Sequence, residues 1–364
     1  MKSCCSFALA LLFCVAARGA VDMRPADGLD GWLDAGLGRY DPVPLGGATA
    51  TTFPGVDGTV WQVTAGGTNM YSTIDGCRFV FTDLPGDGEV RVRTRIDMSL
   101  ANLDDKGRSG VMLRDSLRSD AKTAFFYRFR NVVPTAEPEY QIRAQRRLST
   151  GWDMNSRGWI GRSVTDAQAS NEWAWVRLVR QGNSIYYHFT TNDAPAATDW
   201  TQYAVNAEVS LGESCMAGFF AGRYYTSSSD PLTITRLFTG AAVTPFVVAT
   251  NGADGIDVSW VEKPRHLVTD YTPASYTIAR DTSHAGAFSE VLATGLTGTT
   301  FTDMTARPGV KYYYKVTCVD AEETVERIGV SGAAVREMAN AAATWPSGWR
   351  TADWTPLERT SFGA

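Results

Sequence analysis

Several short runs of this chain carry flat rings and guanidinium groups at alternate positions: Arg114, Phe126, Arg128, Gln141, Arg143, Trp175, Arg177, Tyr186 and His188. Between them fall Val111, Leu113, Phe125, Tyr127, Ile142, Val176, Leu178, Ile185 and Tyr187. Successive side chains of an extended strand point to opposite faces, so this spacing predicts one apolar face toward a core and one face of arginine, aromatic and amide groups. Such a face suits sugar rings, because aromatic rings stack on the apolar side of a sugar and arginine or glutamine hydrogen-bonds its hydroxyls or carboxylates. Arg114, Arg128, Arg143, Tyr186 and His188 are therefore candidate carbohydrate contacts. If the strands divide between two sheets, only some of these residues share a surface. Arg114, within GVMLRDS, reads equally as a structural arginine held by Asp115 or Asp97.

Residues 147–163, RLSTGWDMNSRGWIGRS, read as a long insertion between strands, with Trp152 and Trp159 in a polar loop. Loops at the rim of a rigid scaffold are where binding aromatics are placed. The competing reading is that both tryptophans only pin the loop to the domain. Tyr224 and Tyr225, before a serine-rich turn, form a weaker candidate.

Other chemistries lack their residues. Glycoside hydrolysis needs two carboxylates at a fixed separation, and no strand here carries a Glu-x-Asp-x-Glu spacing; Glu89 and Asp97 stand at the two ends of a run whose face is Arg91, Arg93 and Arg95. Glu322 and Glu323 fall in a predicted hairpin loop as a solvated pair. There is no Gly-x-Ser-x-Gly elbow, the only histidines are His188, His266 and His284, and the glycine-rich pieces lack the Lys-Ser/Thr ending of a phosphate loop. No Cys-x-x-Cys pair or His/Cys cluster points to zinc. No cofactor is expected; Asp22, Asp27, Asp30 and Asp41 offer carboxylates for a structural calcium, without EF-hand-like spacing. The formal net charge of -5 supplies no basic field for nucleic acid.

The elements that must hold these groups are short strands. In DGEVRVRTRID, residues 87–97, Val90, Val92 and Ile96 alternate with Arg91, Arg93 and Arg95, and in GRSGVMLRDS, residues 107–116, Val111 and Leu113 alternate with Met112 and Arg114. Further runs cover residues 59–64, 77–82, 123–130, 140–146, 173–180, 184–190, 216–222 and 232–239, separated by turn signals such as Gly66-Gly67 and the PGDG of residues 85–88. Half-buried antiparallel strands need a second sheet over their apolar side, so residues 21–240 are predicted to form an all-β, two-sheet jelly-roll sandwich, with an opening strand and loops over residues 21–58. At 364 residues the chain has room for two or three domains.

After Gly240 the runs GIDVSW, ASYTIARD, VLATGL, TTFTDMT and PGVKYYYKVTCVD predict a second, smaller sandwich over residues 241–337. Tyr312, Tyr314, Val316 and Cys318 fall on one inward face, and Tyr312 is placed as a corner tyrosine tied back to backbone. Residues 338–364 form a linker and tail containing Trp345, Trp349 and Trp354, either docked on the protein's own surface or beginning a further module.

At the other end, MKSCCSFALALLFCVAARGA has a lysine, a short apolar core and small residues, which predicts a signal peptide over residues 1–19, cleaved after Ala17 or Gly19. Phe13 before Cys14 disfavours a lipid anchor. No run approaches the roughly 20 apolar residues of a membrane helix. Cys4, Cys5 and Cys14 leave with the leader, so Cys77, Cys215 and Cys318 remain. Cys77 and Cys215 either pair in an oxidising compartment or stay as two buried thiols.

The succession WQVTAGGTNMYSTIDGCRFVFTDLPGDGEVRVRTRID, GRSGVMLRDS and WAWVRLVRQGNSIYYHFT resembles the concanavalin A-like lectin/glucanase jelly rolls of secreted bacterial proteins, and residues 255–320 resemble a fibronectin type III module. The resemblance implies the fold and export; together with the ring and arginine face it leads to the expectation of a non-catalytic carbohydrate-binding or cell-surface adhesion protein, its partner a polysaccharide or glycan surface and the type III unit a spacer. Lyases of that fold use an arginine or glutamine with a histidine and a tyrosine, so the alternative is a polysaccharide lyase working through the Arg/Tyr/His surface. A third reading is a structural module of a surface assembly.

Overall fold

The computed structural model describes residues 23–38, 46–66, 70, 73, 75–96, 107–131, 139–154, 159–165, 173–206, 208–223 and 233–337. The expected leader, the tryptophan tail, Tyr224, Tyr225, Asp22 and Asp41 lie outside the described residues. In chain order the first sandwich contains β1 (Met23–Pro25), β2 (Leu33–Leu37), β3 (Gly47–Phe53), β4 (Val56–Ala65), β5 (Cys77–Pro85), β6 (Gly88–Arg95), β7 (Gly107–Arg114), β8 (Thr123–Asn131), β9 (Glu139–Arg147), β10 (Trp159–Thr165), β11 (Ala174–Gln181), β12 (Ser184–Thr190), β13 (Thr201–Asn206), β14 (Ser214–Arg223) and β15 (Ile234–Pro245). They form an eight-stranded sheet, in the order β1-β2-β5-β14-β7-β8-β9-β10, and a seven-stranded sheet, β13-β12-β11-β6-β15-β4-β3. The fold is all-β, as the alternation predicts. No helix among the described residues is long and apolar enough to cross a membrane.

Both sheets turn an apolar face inward. Val90, Val92, Val111, Leu113, Phe126, Val176, Leu178, Ile185, Phe219 and Phe238 belong to one shared core, and each fully buried side chain of this size contributes about 1.5–3 kcal/mol. The eight-stranded sheet is buried on its other side as well, where Phe79, Phe81, Met112, Phe125, Tyr127, Phe129 and Phe220 form a second cluster. This corrects the phase expected for β8. Phe125 and Tyr127 lie outside and Phe126 inside, because a run with rings on both faces carries no hydrophobic signal to choose between them. Residues 159–165 are likewise a strand, not part of a loop.

The second sandwich is immunoglobulin-like. Strands β16 (Val247–Asn251), β17 (Ile256–Trp260) and β20 (Thr300–Asp303) face β18 (Ser275–Asp281), β19 (Glu290–Leu296), β21 (Lys311–Val319) and β22 (Val325–Val330), with β23 (Ala334–Val335) paired to β21. Tyr312, Tyr314, Val316 and Cys318 face its core as the alternation predicts. The tyrosine tie differs: Tyr314 donates its hydroxyl to Asp303 Oδ2 at 2.8 Å, while Tyr312 lies beneath the Arg280 guanidinium. The three remaining cysteines are buried and free. Cys77 and Cys215 sit in different clusters on opposite faces of the eight-stranded sheet, so they do not meet.

The two sandwiches are joined directly. Strand β15 runs to Pro245, past the expected boundary at residue 240, and β16 starts at Val247, which leaves only Phe246, fully buried, between them. Val179 of β11 belongs to the core of the small sandwich. The PGDG segment, read from sequence as a turn between strands, is the joint. Gly86 holds φ at 72°, where a Cβ would stand 2.2 Å from the Val330 carbonyl oxygen. The buried Asp87 carboxylate accepts from the Gly182 amide at 2.6 Å, the Val330 amide at 2.9 Å and the Arg327 guanidinium. Its backbone adds bonds to Val330 and Phe246. The small sandwich is thus docked on the large one, in place of the spacer geometry expected from sequence. Replacing Asp87 by Ala leaves buried donors unpaired and is expected to cost about 3 kcal/mol. Calorimetry checks this: the variant is expected to resolve into two unfolding transitions, one for each sandwich, at lower temperatures.

Candidate binding face

Register assigns the outer side of the eight-stranded sheet. Gln145 of β9 stands opposite Phe125 of β8 and Trp159 of β10, Arg143 opposite Tyr127, and Gln141 opposite Phe129. Residues opposite one another in a ladder share a face, so amides, rings and one guanidinium converge along β8 and β9. Arg143 donates from Nε to Gln141 Oε1 at 2.7 Å, and its guanidinium carbon lies 4.5 Å from the Phe129 ring centre. Arg143 and Gln141 are half-buried. Deeper in the same face the Tyr127 hydroxyl donates to Gln145 Oε1 at 2.7 Å, while Gln145 Nε2 is buried without a hydrogen-bond partner. A buried amide left with one end unsatisfied is a site where a further acceptor is stabilising.

A buried ion-pair network holds one end of this face. Asp75 Oδ2 meets Arg114 Nη1 at 2.5 Å and Arg147 Nη1 at 2.9 Å, and Asp75 Oδ1 meets Arg147 Nη2 at 2.7 Å. All three side chains are fully buried. Burial alone raises the Asp75 pKa, but the Arg147 and Arg114 charges and hydrogen bonds outweigh it and leave the carboxyl below its usual range. Arg147 Nε also donates to the Trp152 carbonyl oxygen at 3.1 Å, so the network fixes the loop after β9 while the Trp152 side chain stays half-exposed.

The candidates chosen from sequence separate in three directions. Arg143 and Trp152 belong to the outer side of the eight-stranded sheet and its rim; Trp159 opens β10 in the same row as Gln145, and its side chain lies outside the described residues. Arg114 stands on that face but is sealed against Asp75, with further bonds to the Ser116 and Arg118 carbonyls. It is held by Asp75 and not by the expected Asp115; Asp97 lies outside the described residues. Arg128 points the other way, between the sheets, and donates to the Thr94 carbonyl at 2.8 Å. Tyr186 and His188 lie on the outer side of the seven-stranded sheet under the small sandwich, with Tyr186 5.1 Å from the His266 ring. Burial, then the Arg177 charge, lower the His188 pKa to about 2 and keep the imidazole neutral. The single Arg/Tyr/His surface is therefore not assembled, because its strands divide between two sheets. Gln145 and Asp75 carry no local signal in the sequence: Gln145 is the second amide of QIRAQRR, among charged neighbours, and Asp75 is a single acid in a turn.

The central strands β7 and β8 contain no Asp or Glu, and β9 has only Glu139 at its first position. Two carboxylates roughly 5–9.5 Å apart, as glycosidases need, do not stand on this part of the face. Among the described residues no three His, Cys, Asp or Glu side chains gather to hold a metal; Asp27 accepts instead from the Ala50 amide.

The fold is a two-layer β-sandwich with a docked immunoglobulin-like domain; on the outer side of its eight-stranded sheet Phe125, Tyr127, Phe129 and Gln145 are buried, and Gln141, Arg143 and Trp152 are partly exposed. No protein-family model matches the chain. No curated protein matches it. Among solved structures it is similar to a seed lectin isoform of Lotus tetragonolobus, at 10% identity over 62% of this chain and 99% of that one, TM-score 0.34. It is similar also to a functionally unknown protein of Saccharomyces cerevisiae, at 10% identity over 54% of this chain and 96% of that one, TM-score 0.35. An Fn3-like protein of Clostridium thermocellum is similar at 26% identity over 25% of this chain and 85% of that one, TM-score 0.20.

Removing the Asp75 charge leaves two arginines buried without their carboxylate, so Asp75→Asn is expected to destabilise the first sandwich by about 3–5 kcal/mol. Because the folded pKa of Asp75 lies below its unfolded value, its contribution is fully present above about pH 3.9 and is lost as pH falls through the lowered folded pKa. Thermal melts from pH 6 to pH 2 check both: the parent loses stability below about pH 4, and Asp75→Asn lacks that part of the loss.

Proposed function

We propose that this chain is an exported, non-catalytic glycan-binding protein whose sugar-contact surface runs along β9, from Gln141 and Arg143 to the Trp152 loop. The observation that carries this reading is the half-exposed Arg143 guanidinium, anchored on Gln141 and laid over Phe129. It is a planar hydrogen-bonding group held over the buried Phe129 ring, with the half-exposed Trp152 indole left to stack on a sugar. Orientation of that group by Gln141 lowers the conformational entropy lost on binding. The catalytic alternative is weaker here. All three histidines lie in the small sandwich or beneath it, away from this face, and Asp75 is committed to two arginines. Export is supported by the charged, apolar and small-residue order of residues 1–19.

The test is a panel of neutral, uronic-acid and sulfated glycans, recording retention, tryptophan fluorescence and release of unsaturated oligosaccharides. Retention with a fluorescence change and no turnover is expected, and Arg143→Ala and Trp152→Ala are each expected to weaken it about tenfold. Release of unsaturated product overturns the reading in favour of a lyase; silence in all three readouts overturns it in favour of a structural module. Sequencing of the mature N-terminus is expected to begin after Ala17 or Gly19, and an intact Met1 in the secreted or surface fraction overturns cleaved export.

A further inference from the structure

The opposite side of the first sandwich carries a second organised surface. Arg91, Arg93 and Arg95 of β6 point outward while Val90, Val92 and Thr94 point into the sandwich. Each outward guanidinium is layered on an aromatic ring: Arg91 lies 5.6 Å from the centre of Trp175, Arg93 5.7 Å from Trp173 and Arg95 4.6 Å from Phe53. Cation–π stacking of this kind fixes the plane of a guanidinium while leaving its outer N–H groups to water. Alternate residues of one strand place these charges roughly 6.6 Å apart.

The arrangement costs the fold something. Arg91 stands directly opposite Arg177 in the β6–β11 ladder, and like charges directly opposite are destabilising. Relief is partial. Arg177 has Glu89 at 3.7 Å, but Arg91 makes neither an ion pair nor a hydrogen bond among the described residues, and its Nε is buried without a partner. Arg93 is paired with Asp193, whose side chain is 79% exposed. Burial, followed by the charges of Arg265 on the small sandwich and of Arg91, brings the Arg177 pKa down to about 10 against the opposing pull of Glu89. Arg265 of the small sandwich thus adds to the positive charge acting on Arg177, on a chain whose formal net charge is -5. A like-charge pair only partly compensated inside the fold points to a further compensation that arrives from outside.

We propose that this face binds a linear acidic polysaccharide lying along β6, with its carboxylate or sulfate groups on Arg91 and Arg93 and a sugar ring on Trp175. Trp175 is built for that role. It is half-exposed, its indole N–H is held by the Asp193 carbonyl at 3.1 Å, and its ring lies over Gly240, where any Cβ would stand 2.4 Å from it. A repeating anion relieves the Arg91–Arg177 repulsion at several points at once, which a single small anion does not. This surface is separate from Arg143 and Trp152, on the other sheet, and the proposal does not depend on their role.

The test uses the full chain passed over immobilised polygalacturonate and heparin, with neutral dextran and single-stranded DNA as comparisons, at several salt concentrations. Retention on at least one acidic polysaccharide and none on dextran is expected, and which one retains distinguishes carboxylate from sulfate. Arg91→Gln is expected to lower the slope of log affinity against log salt by roughly one, as for the loss of one ionic contact to a polyelectrolyte. Asp193→Asn removes the carboxylate paired with Arg93 and is expected to tighten binding. Unaltered affinity in both Arg91→Gln and Asp193→Asn overturns the proposal. Equal retention on DNA with the same salt slope overturns it too, because the face then reads charge alone.

Discussion

The buried Asp87 carboxylate is the interaction on which the architecture depends. A charge removed from water costs several kcal/mol unless every lone pair is answered, and here the answer comes from both sandwiches: the Gly182 amide of the first, and the Val330 amide and Arg327 of the second. Neither domain satisfies it alone. Only Phe246 stands between β15 and β16, and Val179 of the first sandwich packs in the second core. That is why the small domain acts as a cover for Tyr186 and His188 and not as a tether.

The same logic recurs at Asp75, which neutralises Arg114 and Arg147 and through Arg147 anchors the Trp152 loop. Both carboxylates convert arginines into scaffold. The arginines that remain outside such networks are informative by contrast. Arg143 is oriented by Gln141 on one sheet, and Arg91 is stacked on Trp175 but unpaired on the other. The two sheets therefore differ on their outer sides: Gln141 and Arg143 lie over buried rings on one, and arginines lie on indoles and Phe53 on the other. Their separation follows from the topology, since β8 and β9 belong to one sheet and β6 and β11 to the other.

Most strands were legible because their alternation had contrast. In β6 the valines and arginines differ enough that the register of faces is readable directly, and in β21 the inward tyrosines, valine and cysteine follow the same rule. Legibility failed where contrast was absent. In β8, TAFFYRFRN puts aromatic residues on both faces because the outer side of its sheet is buried too, so Phe126 and Arg128 were assigned outward when they point inward. In β10, WIGRSVT is short and glycine-bearing, and it is a strand only because β9 offers it an edge.

What the sequence by itself determined is the set of local periods: an all-β chain, two sandwiches in succession, an apolar face on each strand, and an arginine row along β6. These follow from interactions between residues two apart, which any extended segment carries with it. Only the tertiary structure decided which strands share a sheet. Sheet membership split Arg143 from His188, sent Arg128 into the core and brought Asp75 to Arg114 and Arg147 across separations of 39 and 72 residues. Long-range pairing of that kind is governed by where each backbone edge finds a partner and each buried charge an answer, and no local pattern encodes it.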